Sequence, residues 1–122
     1  MNCNRPEIPE NFYSHLASYS SEELDNYLDW RDEDPFDSQW CESYEQVKSA
    51  CCGFDTADLY QRLSEASHAH EVSSYILDDW ILLAKAQFIG FSSLFVSQLQ
   101  ECYEQGRLPS ASEFSFSEDQ SA

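Results

Sequence analysis

Residues 71–106 read EVSSYILDDWILLAKAQFIGFSSLFVSQLQECYEQG and form the most apolar part of the chain. Between Ile81 and Val96 the only formal charge is Lys85. A helix that is apolar on nearly every side is typical of one enclosed by other helices. The stretch therefore predicts the central element of a helical bundle.

A membrane-spanning helix fits the same stretch less well. Charged and amide side chains interrupt it at Asp78, Asp79, Lys85 and Gln87, so its cleanest run is shorter than the roughly 20 apolar residues that a bilayer requires. No cluster of Lys or Arg flanks it. We therefore expect no contact with a membrane.

Gly90 leaves two interpretations of this stretch open. One is a single long helix with a weak point, because Gly costs a helix interior about 1 kcal/mol relative to Ala. The other is two helices, over about 72–89 and 92–105, the second capped by Ser92 or Ser93. Gly106 suits the left-handed residue that closes a helix.

Shorter amphipathic helices are predicted upstream. Pro9 suits the first turn of a helix that carries Phe12 and Leu16 on one face. Ser20 and Glu23 have the spacing of a capping box, in which each side chain satisfies a backbone N–H of the other residue.

Two further helices are predicted after Asp34–Pro35 and after Asp55, with each aspartate as the cap and Gly53 closing the first of the two. The side chains expected to face the core from residues 20–67 are Leu24, Tyr27, Leu28, Trp30, Phe36, Trp40, Val47, Cys51, Leu59, Tyr60, Leu63 and Ala66, with Tyr44 or Ser43 on the same stripe.

The predicted fold is all-α, a compact bundle of five or six helices around the apolar C-terminal helix or helix pair. We expect a flexible N-terminal arm over residues 1–8, a single helical domain over 9–109, and a disordered, acidic, serine-rich tail over 110–122. Phe114 and Phe116 in this tail either fold back on the domain or anchor in a partner.

Composition limits the partners. The chain has 23 Asp and Glu against 6 Lys and Arg, a formal net charge of -17. This charge favours a basic protein partner and argues against direct binding of nucleic acid. Five cysteines without a secretory leader predict a cytoplasmic protein with reduced thiols, whose four internal cysteines (Cys41, Cys51, Cys52 and Cys102) are small buried hydrophobic groups.

No pattern predicts catalysis, a cofactor or a metal site. His68 and His70 are two residues apart and point away from each other on a helix. Of Asp78 and Asp79, we expect one at the surface and the other hydrogen-bonded to a neighbour such as Tyr75, Lys85 or a backbone group. We find no Gly-rich phosphate loop and no oriented nucleophile, so the chain is predicted not to be an enzyme.

The strongest functional signal is an acidic segment between Glu22 and Glu45, where only Arg31 carries a positive charge. The residues predicted to bind a partner are Glu22, Glu23, Asp25, Asp29, Trp30, Asp32, Glu33, Asp34 and Asp37, with Trp30 as an anchor. A plain solvated face is the competing interpretation.

The acids recur at a density close to that of duplex DNA, which carries one charge per about 1.7 Å of its axis. We therefore predict a non-enzymatic inhibitor that occupies the anion site of a basic, nucleic-acid-handling protein. Immunity proteins, antitoxins, phage anti-defence proteins and DNA mimics are of this type. The alternative is a helical adaptor that binds a partner helix in an apolar groove, and a homodimer also stays open.

Overall fold

A computed structural model describes residues 8–50, 55–110 and 114. These residues form six α-helices: α1 Glu10–Leu16, α2 Ser21–Arg31, α3 Phe36–Val47, α4 Ala57–Ser67, α5 His70–Ile89 and α6 Leu94–Glu104. The described ranges contain no strand. The all-α prediction is therefore confirmed, with α5 and α6 as the apolar C-terminal pair.

The 71–106 stretch forms two helices. Gly90 ends α5 in a left-handed conformation with φ 76°, which a residue without a Cβ adopts at little cost. The Ser93 hydroxyl then caps α6 by accepting a hydrogen bond from the backbone N–H of Val96. After α6, Gly106 is also left-handed, and a Cβ there would lie only 2.8 Å from the Asn11 side chain.

The local signals at the other helix ends were partly correct. The capping box of α2 is confirmed, since Glu23 N–H donates to the Ser20 hydroxyl and Ser20 N–H donates to the Glu23 carboxylate. The cap predicted at Asp34 is wrong, because Pro35 occupies that position and Asp34 instead accepts a hydrogen bond from the Ser38 hydroxyl.

The cap predicted at Asp55 is displaced by one position. Thr56 is the N-cap residue of α4 and makes no side-chain capping bond. The Asp55 carboxylate nevertheless accepts a hydrogen bond from the Ala57 N–H at 3.0 Å. It therefore still satisfies one donor of the first turn.

The core lies between α5 and the helices around it. Its fully buried side chains include Phe12, Leu16, Phe36, Val47, Leu63, Ile76, Leu82, Leu99 and Tyr103. Of the two α3 residues that the sequence left open, Ser43 is buried and Tyr44 is 41% exposed. The prediction for α2 omitted Arg31, which is only 5% exposed.

Residues beyond the predicted domain ends also join the core. Ile8 is buried at one end, and Phe114 is buried against Trp30, Phe36 and Phe95 at the other. Phe114 thus folds back on the domain. The domain limits stay predictions, and Phe116 and the predicted cap Gly53 lie outside the described residues.

One expectation about the cysteines is wrong. Cys102 is buried as expected, but Cys41 is exposed on α3. Cys51 and Cys52 lie outside the described residues. Among the described helices, none is long and apolar enough to cross a membrane.

Candidate partner-binding surface

An ion pair lies buried at the centre of the bundle, directly beneath the acidic segment. Arg31, at the end of α2, donates through Nη1 and Nη2 to the two carboxylate oxygens of Asp79 on α5, both at 2.8 Å. The side chains are 4% and 0% exposed. A planar guanidinium matches a carboxylate in this two-bond geometry, which a lysine does not reproduce.

Three more side chains complete this group, which we call the Arg31–Asp79 cluster. The Asp79 carboxylate also accepts hydrogen bonds from the Trp40 indole at 2.8 Å and the Tyr103 hydroxyl at 2.6 Å. Arg31 Nη1 donates to the Tyr27 hydroxyl at 2.6 Å. The cluster therefore joins α2, α3, α5 and α6 through one carboxylate and one guanidinium.

The environment of the cluster favours charged Arg31 and neutral tyrosines. Burial disfavours the guanidinium charge, but the Asp79 carboxylate outweighs this and raises the pKa of Arg31. Burial raises the pKa of Tyr27 to about 12, and burial together with the Asp79 charge raises the pKa of Tyr103 well above its ordinary value. Both hydroxyls therefore keep their protons at physiological pH.

Aromatic rings enclose the guanidinium. Its central carbon lies 4.9 Å from the Phe36 ring centroid, 4.7 Å from that of Tyr75 and 5.6 Å from that of Tyr27. A cation over an aromatic face is stabilised by the ring quadrupole. The only positive charge of the acidic segment is thus held inside the protein.

The expectation of one exposed and one hydrogen-bonded aspartate is confirmed, but the partners differ from the examples suggested by the sequence. Asp79 is the buried aspartate of the pair and Asp78 the exposed one, but Asp79 binds Arg31, Trp40 and Tyr103 instead of Tyr75 or Lys85. The sequence did contain a signal for this. Arg31 follows Leu24 and Tyr27 at helical spacing, which places a lone base on the core face of α2.

The eight predicted acidic residues are all exposed. On α2, Glu22, Asp25 and Asp29 recur at spacings of three and four and share one side of the helix, and Asp32 continues this line at the C-cap. We call these four residues the acidic stripe. Glu23 lies one residue further round, on a different side of α2.

Beside the acidic stripe, a pocket of about 70 Å³ opens over the buried ion pair. Its lining joins Asp32 from the end of α2, Asp37 from the first turn of α3 and Asp78 from α5, with Trp40 and Tyr75 as aromatic walls. The Tyr75 hydroxyl donates to Asp32 at 3.1 Å. Burial and the neighbouring Asp79 charge raise the pKa of Asp78, an effect that Arg31 partly offsets.

A second, larger cavity of about 270 Å³ lies on the other side of the acidic stripe, between α2 and residues 108–110. Trp30 forms part of its wall, and its ring packs on Phe36 and Phe114 with centroids 4.8 and 5.9 Å away. Among the residues that the structure describes, Glu23 is the only acidic one that lines it. We call this cavity the Trp30 groove.

Glu33 and Asp34 belong to the turn between α2 and α3. Both are exposed, and neither lines the pocket or the Trp30 groove. Of the predicted residues, the acidic stripe thus contains four, the last of which (Asp32) also shares the pocket with Asp37, whereas Glu23 and Trp30 lie together at the groove.

The two histidines do not share a site. His68 ends α4 in a left-handed conformation with φ 58° and is exposed. His70 begins α5, stacks on Tyr60 and hydrogen-bonds through Nδ1 with the Ser64 hydroxyl. Within the described ranges, no group of three or more His, Cys, Asp or Glu side chains is arranged to hold a metal ion.

A family of known proteins matches most of the chain. The family model described as "Immunity protein PIM1" matches residues 7–110, which include the six helices, the acidic stripe and the Arg31–Asp79 cluster. No curated protein and no solved structure matches the chain.

Proposed function

The chain belongs to the immunity protein PIM1 family, and from this premise we propose that it is a non-enzymatic inhibitor that binds a toxin protein and neutralises it. The toxin is a basic, nucleic-acid-handling protein, such as a nuclease. The inhibitor presents its carboxylates where the toxin would otherwise hold phosphates. The acidic stripe and the neighbouring acids Glu23, Glu33, Asp34 and Asp37 are the proposed contacts.

The observation that supports this proposal most strongly is the burial of Arg31 in an internal ion pair. Both of its terminal nitrogens are used inside the protein, and the side chain is 4% exposed. Eight carboxylates around it remain exposed. Arginine and lysine side chains of a basic partner would supply the missing positive charge, with bidentate pairing available to each arginine.

Charge also suits the kinetics of neutralising a toxin. A net charge of -17 attracts a cationic partner from a distance and speeds association, and added salt weakens this effect. A toxin that acts on nucleic acid must bind a polyanion, so its active surface is itself basic. The same surface would recognise the acidic stripe.

The test is a charge reversal on the proposed face. Asp25, Asp29 and Glu33 are exposed and do not line the pocket over the ion pair, so Asp25→Lys, Asp29→Lys and Glu33→Lys together should leave the fold intact. The probe is the partner protein that the immobilised chain captures from its native lysate at low salt. We expect its affinity for the triple variant to fall by at least about 100-fold.

A matched control carries the same change in charge elsewhere. Glu65→Lys, Glu101→Lys and Glu104→Lys alter exposed acids of α4 and α6. Circular dichroism checks that both variants stay helical. Equal loss of affinity in the two variants would show that only total charge matters, and unchanged affinity in the first would exclude the proposed face.

Salt separates this proposal from the adaptor alternative. An acidic contact surface predicts that affinity falls steeply between roughly 50 and 200 mM salt, because screening shortens the range of exposed charges. A helix bound in an apolar groove predicts little change over the same range.

A further inference from the structure

The lining of the Trp30 groove is mostly apolar, with a few polar residues, as in a pocket that binds a side chain. Of its described lining residues, five are apolar or aromatic and three are polar. The five are Tyr19, Tyr27, Trp30, Leu108 and Pro109, and the three are Glu23, Asn26 and Ser110. Its volume, about 270 Å³, lies below the roughly 300–1,000 Å³ of typical small-molecule sites, and so suits a single large side chain.

The walls of the groove are held by the core beneath them. Leu108 is 3% exposed and Tyr27 is 8% exposed, and the Tyr27 hydroxyl binds Arg31 of the cluster. The Trp30 ring packs on Phe36 and Phe114. Trp30 is therefore a wall of the groove that the core holds in place.

Charge identifies the kind of partner. Glu23 and Asn26, which line the groove, each follow a member of the acidic stripe by one residue, a rotation of about 100° around α2. The groove and the stripe are thus neighbouring sides of one helix. A segment bound across α2 would place one residue over the apolar groove and its neighbours over carboxylates.

We propose that the Trp30 groove binds one large apolar side chain, preferably aromatic, from a segment of the partner in which Lys or Arg flanks that residue. This proposal rests on the proposed function, since it takes the acidic stripe as the charged part of the contact. Aromatic side chains bury a large area with few rotatable bonds and are enriched among the residues that dominate binding energy.

The experiment titrates the ¹⁵N-labelled full chain with two synthetic peptides, Ac-Lys-Lys-Trp-Lys-Lys-NH2 and Ac-Lys-Lys-Ala-Lys-Lys-NH2, at low salt. The peptides differ only in the central side chain. We expect the tryptophan peptide to bind at least about tenfold more tightly and to shift the Trp30 indole and Leu108 amide signals.

A groove-filling variant tests the location. Asn26 is exposed and lines the groove, so Asn26→Phe should occupy the cavity without disturbing the core. Gln61→Phe, at an exposed position of α4, is the matched control. We expect Asn26→Phe to remove the preference for tryptophan and to leave binding of the alanine peptide unchanged, while Gln61→Phe retains the preference.

The outcomes distinguish binding in the Trp30 groove from charge-driven binding to the acidic stripe. Equal affinity for the two peptides, or an unchanged preference in Asn26→Phe, overturns the groove proposal and leaves charge-driven binding to the stripe in place. If neither peptide binds, both the groove proposal and charge-driven binding to the acidic stripe are overturned. A dimer of the free protein that Asn26→Phe abolishes would identify a second copy as the occupant, and would also overturn the proposal.

Discussion

Two arginine–carboxylate pairs in this protein have nearly the same geometry and very different surroundings. Arg31 binds Asp79 through two bonds of 2.8 Å, and Arg62 binds Glu10 through bonds of 2.9 and 2.8 Å. Each guanidinium also lies over an aromatic face, that of Arg31 4.9 Å from the Phe36 centroid and that of Arg62 4.0 Å from the Tyr13 centroid. Yet the side chains are 4% and 0% exposed in the first pair and 46% and 79% in the second.

The difference indicates that burial, more than bond length, determines how much an ion pair contributes to stability. Water competes for every bond of an exposed pair and screens its charges, so such pairs contribute little to stability. In a buried pair neither partner can be removed without leaving a charge that has no counterion in the core. The Arg31–Asp79 pair is therefore expected to fix the arrangement of helices, and the Arg62–Glu10 pair to be dispensable.

The largest effect is expected from Asp79→Asn, which leaves the Arg31 charge buried without a counterion. We expect a loss of about 3–5 kcal/mol in the free energy of unfolding, measured by urea denaturation. Glu10→Gln makes the same chemical change in the exposed pair. A loss of similar size in the two variants would contradict the comparison.

Arg31→Lys is expected to have the next largest effect. Lysine keeps the charge but loses the two parallel bonds to Asp79 and the planar stacking against Phe36 and Tyr75. We expect a loss of about 2–3 kcal/mol in the free energy of unfolding. Arg62→Lys is the matched control, and should unfold at the urea concentration of the unaltered protein.

Tyr103→Phe removes one hydrogen bond from Asp79 and keeps the aromatic ring in place. The lost bond is short, 2.6 Å, and its acceptor is charged, so we expect a loss of about 1.5 kcal/mol. Asp79 keeps its bonds to Arg31 and Trp40, which limits the effect. If Tyr103→Phe cost as much as Asp79→Asn, the hydroxyl and not the ion pair would hold the cluster together.

Asp78→Asn is expected to stabilise the protein slightly at neutral pH. The pKa of Asp78 is raised above its ordinary value of 3.8, mainly by burial and then by the charge of Asp79. The folded state therefore holds this proton more tightly than the unfolded chain, and stability falls as pH rises through the folded pKa. Melting temperatures should show a gain at neutral pH that disappears as pH falls to 3.8.

The smallest effect on stability is expected from Glu10→Gln. Its dependence on pH is opposite in sign to that of Asp78→Asn. The hydrogen bond from Arg62 lowers the pKa of Glu10 below its ordinary value of 4.5. The carboxylate therefore contributes stability above pH 4.5 that is lost as pH falls through the folded pKa. Because the pair is exposed, the melting temperatures of the variant and the unaltered protein should nearly coincide at neutral pH and converge fully in acid.

Local sequence signals account for much of the fold. The capping box at Ser20 and Glu23 acts within a single turn, and Gly90 and Gly106 end helices through their own backbone conformation. Such signals can be interpreted without knowing which helices meet. They located the helical stretches but left open whether Gly90 divides the last one into two helices, and they missed some first residues, as the cap predicted at Asp34 shows.

The centre of the candidate site required information that one sequence does not supply. Arg31 and Asp79 are 48 residues apart, and their contact depends on how α2 crosses α5. The eight acids were correctly expected to be exposed because charged side chains lose their hydration on burial. The two cavities depend on packing against α3, α5 and residues 108–110, so no local pattern predicted them.

The internal use of Arg31 has a consequence for the ions around this protein. With its guanidinium paired inside the protein, the acidic segment from Glu22 to Glu45 has no other base to balance its surface carboxylates. Sodium and potassium ions must therefore gather over α2 in solution. A cationic partner that docks there would displace them, and their release into the bulk would add a favourable entropy to the association.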